Sequence, residues 1–280
     1  TLKALLKTLN AELEELDIPV KTELLAARKA DAGVKEPVDL KPYAAWDFNG
    51  DLKESINSLH LKAHGEVQYK DGMVMLNKSY LLSEKLPIDL KAKTLEVWCS
   101  VPDLNQRGGG IMGIQGPGDF FDTIVLGERK PKHWISGSNG FSRTLDFPES
   151  TPEDKPNERL HLAMVYQADG TTTLYRNGKP YGKPYRKGAA TFPKNKSSVI
   201  FGLRHLPPGG NKYLSVSLAR ARLYKRALTA VEVSASSGGE HLYISDKELT
   251  QALTLGQKAK KESLSQTLAQ SEVALKRVPP

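Results

Sequence analysis

The chain has 280 residues, 39% hydrophobic and 26% charged, which is long and apolar enough for a packed core without disulfide or metal staples. Its single cysteine excludes an internal disulfide, a zinc cluster and a Cys-x-x-Cys-His haem attachment site, and with no run of 18 apolar residues it offers no membrane-spanning helix. The net charge is +8; residues 1–40 hold six Lys/Arg against eight Asp/Glu and residues 241–280 hold six against four, so the whole excess falls on the residues between.

Leu2, Leu5, Leu6, Leu9, Leu13 and Leu16 recur at helical steps and predict an amphipathic helix over 2–16. Pro19 interrupts it, and Thr22 to Ala30 reads as a second helical piece before Gly33 and Pro37. Strand patterns then dominate. Cys99 alternates onto one face with Leu95, Val97 and Val101, which makes it a buried structural thiol. Further strands are expected at Ile111–Gln115, Thr123–Gly127, His133–Gly137, Ser198–Leu203 and Tyr213–Tyr224. Leu160–Gln167, the Asp169-Gly170 turn, Thr171–Arg176 and the Asn177-Gly178 turn read as a meander, because these dipeptides supply the positive φ that tight hairpins need. No long helical pattern intervenes, which favours an antiparallel sandwich. Near the other end, Ser245 with Glu248 and Thr254 with Gln257 fit capping boxes, and Leu264, Leu268 and Leu275 mark a helix from Leu255 to Arg277. Neither terminal helix can hide its leucines alone, so the two are expected to pack together. The chain begins at Thr1 with no secretory signal and reads as a fragment of a longer protein.

Three segments carry a family resemblance. They are Ala45-Trp46-Asp47-Phe48-Asn49-Gly50-Asp51 followed by Gly65; Lys93-Thr94-Leu95-Glu96-Val97-Trp98; and Leu174–Pro180 with the closing Ala221-Arg222-Leu223-Tyr224 and Leu228–Val233. Together they resemble a laminin-G/pentraxin-like module of the concanavalin A-like lectin and glucanase superfamily. The resemblance implies an all-β fold, a concanavalin A-like jelly-roll sandwich of two antiparallel sheets over 41–237, with helical flanks at 1–40 and 238–280. Asn105–Met112, Phe121–Arg129 and Phe201–His205 are further similar to the laminin-G-like insert of very large exported planctomycete-type proteins, which also carry cytochrome-c-like and uncharacterised domains. That similarity implies a periplasmic or cell-surface location.

Glycanases of the superfamily carry two glutamates and an aspartate alternating along one strand, since retaining hydrolysis needs two carboxyl groups about 5–5.5 Å apart. The equivalent strand here offers only Glu96. Asp47, Asn49 and Asp51 form a short acidic cluster that makes calcium a candidate ligand, although turn-forming residues explain the cluster equally well. The loop Arg107-Gly108-Gly109-Gly110 permits close backbone approach to a neighbouring strand or a ligand. With it, Arg107, Trp134, Asn139, Arg143, Arg204 and His205 form a candidate carbohydrate site, an aromatic to stack on a sugar and Arg or Asn to hold hydroxyls, carboxylates or sulfates. The bland alternative is that the aromatics fill the core and the arginines make internal ion pairs.

The expected function is a non-catalytic binding module, lectin-like or protein-docking, within a larger exported protein. Its partners would be an anionic polysaccharide or neighbouring domains of the same chain, and the dispersed basic residues show no nucleic-acid signature. The alternatives are a purely structural scaffold and, third, a divergent glycosidase.

Overall fold

The chain turns where the sequence places Asp-Gly and Asn-Gly. Asn177 and Gly178 take φ of 50° and 74° and close one tight hairpin, while Gly170, at φ 90°, closes the one before it. The computed structural model of the chain describes residues 2–31, 39–237 and 246–276. Helix α1 (Leu2–Asp31) leads into strands β1 (Ala44–Asp47), β2 (Leu61–His64), β3 (Val67–Lys70), β4 (Met73–Leu76) and β5 (Tyr80–Lys85). Next come β6 (Lys93–Ser100), β7 (Gly109–Gln115), β8 (Phe121–Leu126), β9 (Trp134–Ser138), β10 (Arg159–Tyr166) and β11 (Thr171–Arg176). Two short strands, β12 (Lys179–Pro180) and β13 (Tyr185–Arg186), precede β14 (Ser198–Phe201) and β15 (Val216–Tyr224). Helices α2 (Ala230–Ser237), α3 (Asp246–Ala252) and α4 (Leu255–Lys276) follow.

Two compact units form, one from residues 1–36 with 239–280 and one from 37–238. In the helical unit, Val20 of α1 packs with Leu249 and Leu253, and Lys261 meets Asp17 at 3.1 Å. Contrary to expectation, α1 runs through Pro19 as one helix. Proline removes one backbone donor, and the burial of Val20 on the next position offsets that loss. Thr254 and Gln257 cap α4 reciprocally, N–H to side-chain oxygen at 2.9 and 3.3 Å. The Ser245 box lies outside the described residues.

The β unit is a sandwich of two antiparallel sheets. The first is ordered β12-β11-β10-β6-β15-β4-β3, with β1 also on β15 and β13 on β11; the second is β2-β5-β14-β7-β8-β9. Leu95, Val97, Cys99, Leu162 and Met164 of the first sheet face Ile114, Ile124, Leu126 and Phe201 of the second in one buried cluster. Trp46 and Phe48 meet Phe201 edge-on at 5.4 and 5.5 Å. The Cys99 thiol lies inside this layer, where burial raises its pKa and leaves it inert.

One charged cluster interrupts the apolar layer. Lys93 of β6 donates to Asp122 Oδ2 of β8 at 2.7 Å, so the first sheet is tied to the second by a fully buried ion pair. The Lys93 ammonium also lies 4.1 Å from the Tyr166 ring centroid and 4.7 Å from that of Phe192. Arg143 adds a second cation to the same carboxylate through two bonds to Asp122 Oδ1 at 3.0 and 2.9 Å. Removing Asp122 strands two cations, whereas removing Lys93 leaves Asp122 paired with Arg143. Asp122→Ala is therefore expected to cost about 3–5 kcal/mol in urea unfolding, and Lys93→Met clearly less.

Candidate functional site

Arg143 is held by its own fold. Besides Asp122, its guanidinium donates to Phe121 O at 2.9 Å, to Asn139 Oδ1 at 3.1 Å and to Ser142 Oγ at 3.0 Å, and it stacks 4.8 Å over Phe120. Arg143 and Asn139, both expected to read a ligand, are thus brought together but bonded to each other. His205 stacks on Phe121 at 4.4 Å and its Nδ1 contacts Leu206 O at 2.8 Å. Burial lowers its pKa below the ordinary 6.5, so at neutral pH the ring is uncharged and cannot attract an anion.

The glycine loop serves a close approach of strands rather than of a ligand. A Cβ on Gly110 would lie 2.5 Å from the Arg204 backbone, and one on Gly109 2.5 Å from Tyr213 O. Segment 203–213 lies across the outside of β7 and β8, with Thr123 Oγ1 donating to Arg204 O at 2.8 Å and Leu206 N to Gln115 Oε1 at 2.7 Å. Arg204 pairs with Glu128 and reaches Asn211 Oδ1 at 3.3 Å. Arg107 is exposed and its Nε donates to Gly127 O.

Trp134 has no accessible surface, so it cannot stack on a sugar. Its Nε1 donates to Glu153 at 2.8 Å, and Glu153 accepts both arms of Arg176 at 2.9 Å. The calcium candidates have other engagements: Asp47 faces Arg220 at 3.5 Å and Asp51 accepts Lys53 N at 2.9 Å. Asn49, exposed like both of them, donates its backbone N–H to Asp47 O at 2.7 Å. Among the described residues no group of three or more His, Cys, Asp or Glu is placed to hold a metal ion.

A polar cluster that the sequence reading did not assemble lies on the outer face of the first sheet. Register aligns Asp47, Arg220, Trp98 and His161 in one row across β1, β15, β6 and β10, and Ala45, Arg222, Glu96 and Ala163 in the next. Glu96 is fully buried and accepts His161 Nε2 at 2.8 Å and Tyr224 Oη at 2.9 Å. Burial and Glu96 together raise the pKa of the Tyr224 phenol. The Arg220 and Arg222 guanidinium carbons sit 4.9 and 5.3 Å from the Trp98 ring centroid. The period-two spacing of Glu96 with Trp98 and of Arg220 with Arg222 was visible; the pairing of strands more than 100 residues apart was not.

Residues 77–234 match the family model described as the concanavalin A-like lectin/glucanases superfamily. The chain belongs to this superfamily. Several solved structures are similar in fold. Domain 4 of the extracellular arabinanase AbnA from Geobacillus stearothermophilus, in complex with arabinotriose, aligns at TM-score 0.54 and 20% identity over 70% of this chain and 98% of that one. The binding domain of Paraclostridial Mosquitocidal Protein 1 aligns at 0.53 and 22%, over 71% of this chain and 52% of that one. A Trypanosoma rangeli sialidase with 2,3-difluorosialic acid aligns at 0.52 and 11%, over 70% and 32%. No curated protein sequence matches the chain.

Retaining glycoside hydrolysis needs one carboxyl group as acid and base and a second as nucleophile. Glu153 and Glu158 do converge, but on Arg176 Nη2 at 2.9 and 2.7 Å. Their bonds raise the Arg176 pKa further, so both carboxylates face a permanent cation.

His205 supplies a pH test. A folded-state pKa below the unfolded 6.5 makes the unfolded chain the better proton binder, so its contribution is complete above 6.5 and is lost as pH falls through the lowered value. His205→Phe, which can keep the stack on Phe121, is expected to flatten the fall of Tm between about pH 7 and 5. An unchanged slope would contradict the assignment.

Proposed function

We propose that the β unit is a non-catalytic, lectin-like binding module for an anionic glycan, working within a larger exported protein. The observation that carries this reading is the fate of the carboxylates. Asp122, Glu153 and Glu96 are buried and bonded to internal partners, and buried Glu54 accepts backbone N–H groups of Ala45, Ile56 and Asn57. None is presented as a free acid or base, while the chain keeps a net charge of +8. A basic surface attracts polyanions at long range and leaves recognition to a few well-placed groups. The arabinotriose complex of the arabinanase domain and the binding domain of the mosquitocidal protein support a binding role on this fold. The exported location is supported by the resemblance to inserts of exported proteins.

The test is affinity electrophoresis and calorimetry of the chain with polygalacturonate, heparin and neutral arabinan, each with calcium and with chelator. Saturable binding to an acidic polymer that weakens with salt, with no release of reducing ends, is expected. Release of reducing ends would make the module an enzyme. No binding to any polymer at low salt would overturn the glycan reading in favour of docking onto neighbouring domains.

A further inference from the structure

On that glycan-binding reading, we propose that Trp98, Arg220 and Arg222 form the subsite that takes a sugar ring carrying a carboxylate or sulfate, on the outer face of the first sheet. Two guanidinium groups lie over one indole, an arrangement in which like charges approach each other on a ring that attracts both. The two carboxylates near them, Asp47 and Glu96, match that charge in number but not in close contact. Arg220 faces Asp47 at 3.5 Å, and the Asp47 side chain is 73% exposed. Arg222 reaches the Ser236 hydroxyl at 3.5 Å and the Tyr224 phenol, and Glu96 beside it already accepts His161 and Tyr224.

Trp98 supplies the second observation. It is more than nine-tenths buried, yet its Nε1–H has no hydrogen-bond partner, and neither has Nδ1 of the adjacent His161. Trp46 and Trp134, both fully buried, donate to Leu59 O at 3.0 Å and to Glu153 at 2.8 Å. A buried donor without an acceptor is costly, and a ligand oxygen would satisfy it. The β15 register shifts between Leu218 and Arg220, an irregularity that turns the arginine side chains relative to the rest of the strand.

Access requires one movement. Arg220 is partly exposed and anchored by a solvent-facing ion pair, a kind of contact that contributes little to stability. Swinging it off the indole opens a face for the C–H side of a sugar ring. The guanidinium forks of Arg220 and Arg222 then hold the anionic group, and Trp98 Nε1–H donates to a ring or hydroxyl oxygen. The same face continues beyond Trp98 through Ser100, Ser217, Met75 and Gln68, in register across β6, β15, β4 and β3. It reaches a cleft lined also by Glu66, Asn77 and Ser215, which gives room for neighbouring sugar units.

The experiment follows the three indole N–H resonances of the full chain by NMR during titration with trigalacturonate, a sulfated heparin disaccharide and arabinotriose. The Trp98→Phe variant assigns the Trp98 signal, and calorimetry gives affinities. With at least one of the two anionic sugars, the Trp98 resonance is expected to move while those of Trp46 and Trp134 stay. Losing a bidentate anion contact in Arg220→Ala should weaken binding about tenfold or more, with Arg220→Lys intermediate and Arg186→Ala, on an exposed hairpin, as the charge-matched control. Thermal unfolding of each variant separates lost binding from lost fold. Binding that leaves the Trp98 resonance and the Arg220 variants unaffected would overturn the subsite and leave the glycan-binding reading standing. Preference for arabinotriose would overturn the anionic ligand class. Absence of binding by any probe, together with no binding to the parent polymers, would overturn both.

Discussion

The sandwich is organised by one buried charge cluster. Lys93 projects from the first sheet into the space between the layers and meets Asp122 from the second, and both side chains are almost completely excluded from water. Burial lowers the pKa of this ammonium and the nearby Arg143 adds to that, while Asp122 and its hydrogen bond act the other way without reversing it. The Lys93 ammonium is not tolerable there without Asp122, so the cluster specifies how β6 and β8 face each other more than it adds stability over an apolar substitute. Arg143 extends the constraint outward: because it shares Asp122, it fixes Asn139, Ser142 and the carbonyl of Phe121 at the same end of the second sheet.

The same principle explains why charged residues at the loops are engaged with their own chain. Half-buried guanidinium groups find carboxylates and carbonyls of their own chain, as Arg204 does with Glu128 and Arg176 with Glu153 and Glu158. Once paired they position backbone and offer few donors to a ligand. On the outer face of the first sheet the balance differs, because Glu96 is already held by a histidine and a tyrosine while two arginines share one indole.

Much of the fold was legible because local chemistry and global topology agree. Asn177-Gly178 and Asp169-Gly170 demanded turns, and the flanking residues alternate as the sheet requires. The run from Leu61 to Lys85 was not read as strands, since β2 and β3 are short, lie at sheet edges and expose most of their residues. Pro19 broke the expected helix on paper because propensity ignores what Val20 packs against. The candidate site was less legible. Composition cannot tell a sugar-stacking tryptophan from a core one, and Trp134 proved to be core. Trp98 and Arg220 lie 122 positions apart, and only the pairing of β6 with β15 makes them neighbours.

On the proposed reading, a polyanion docks on the outer face of the first sheet and not at the loop ends. Hydrogen–deuterium exchange of the full chain, with and without saturating polyuronate, tests it most directly. Slowed exchange concentrated in segments 94–100 and 216–224 is expected, with 105–110, 139–144 and 204–211 unchanged. Protection confined to those loop segments, with the two strands unaffected, would contradict it.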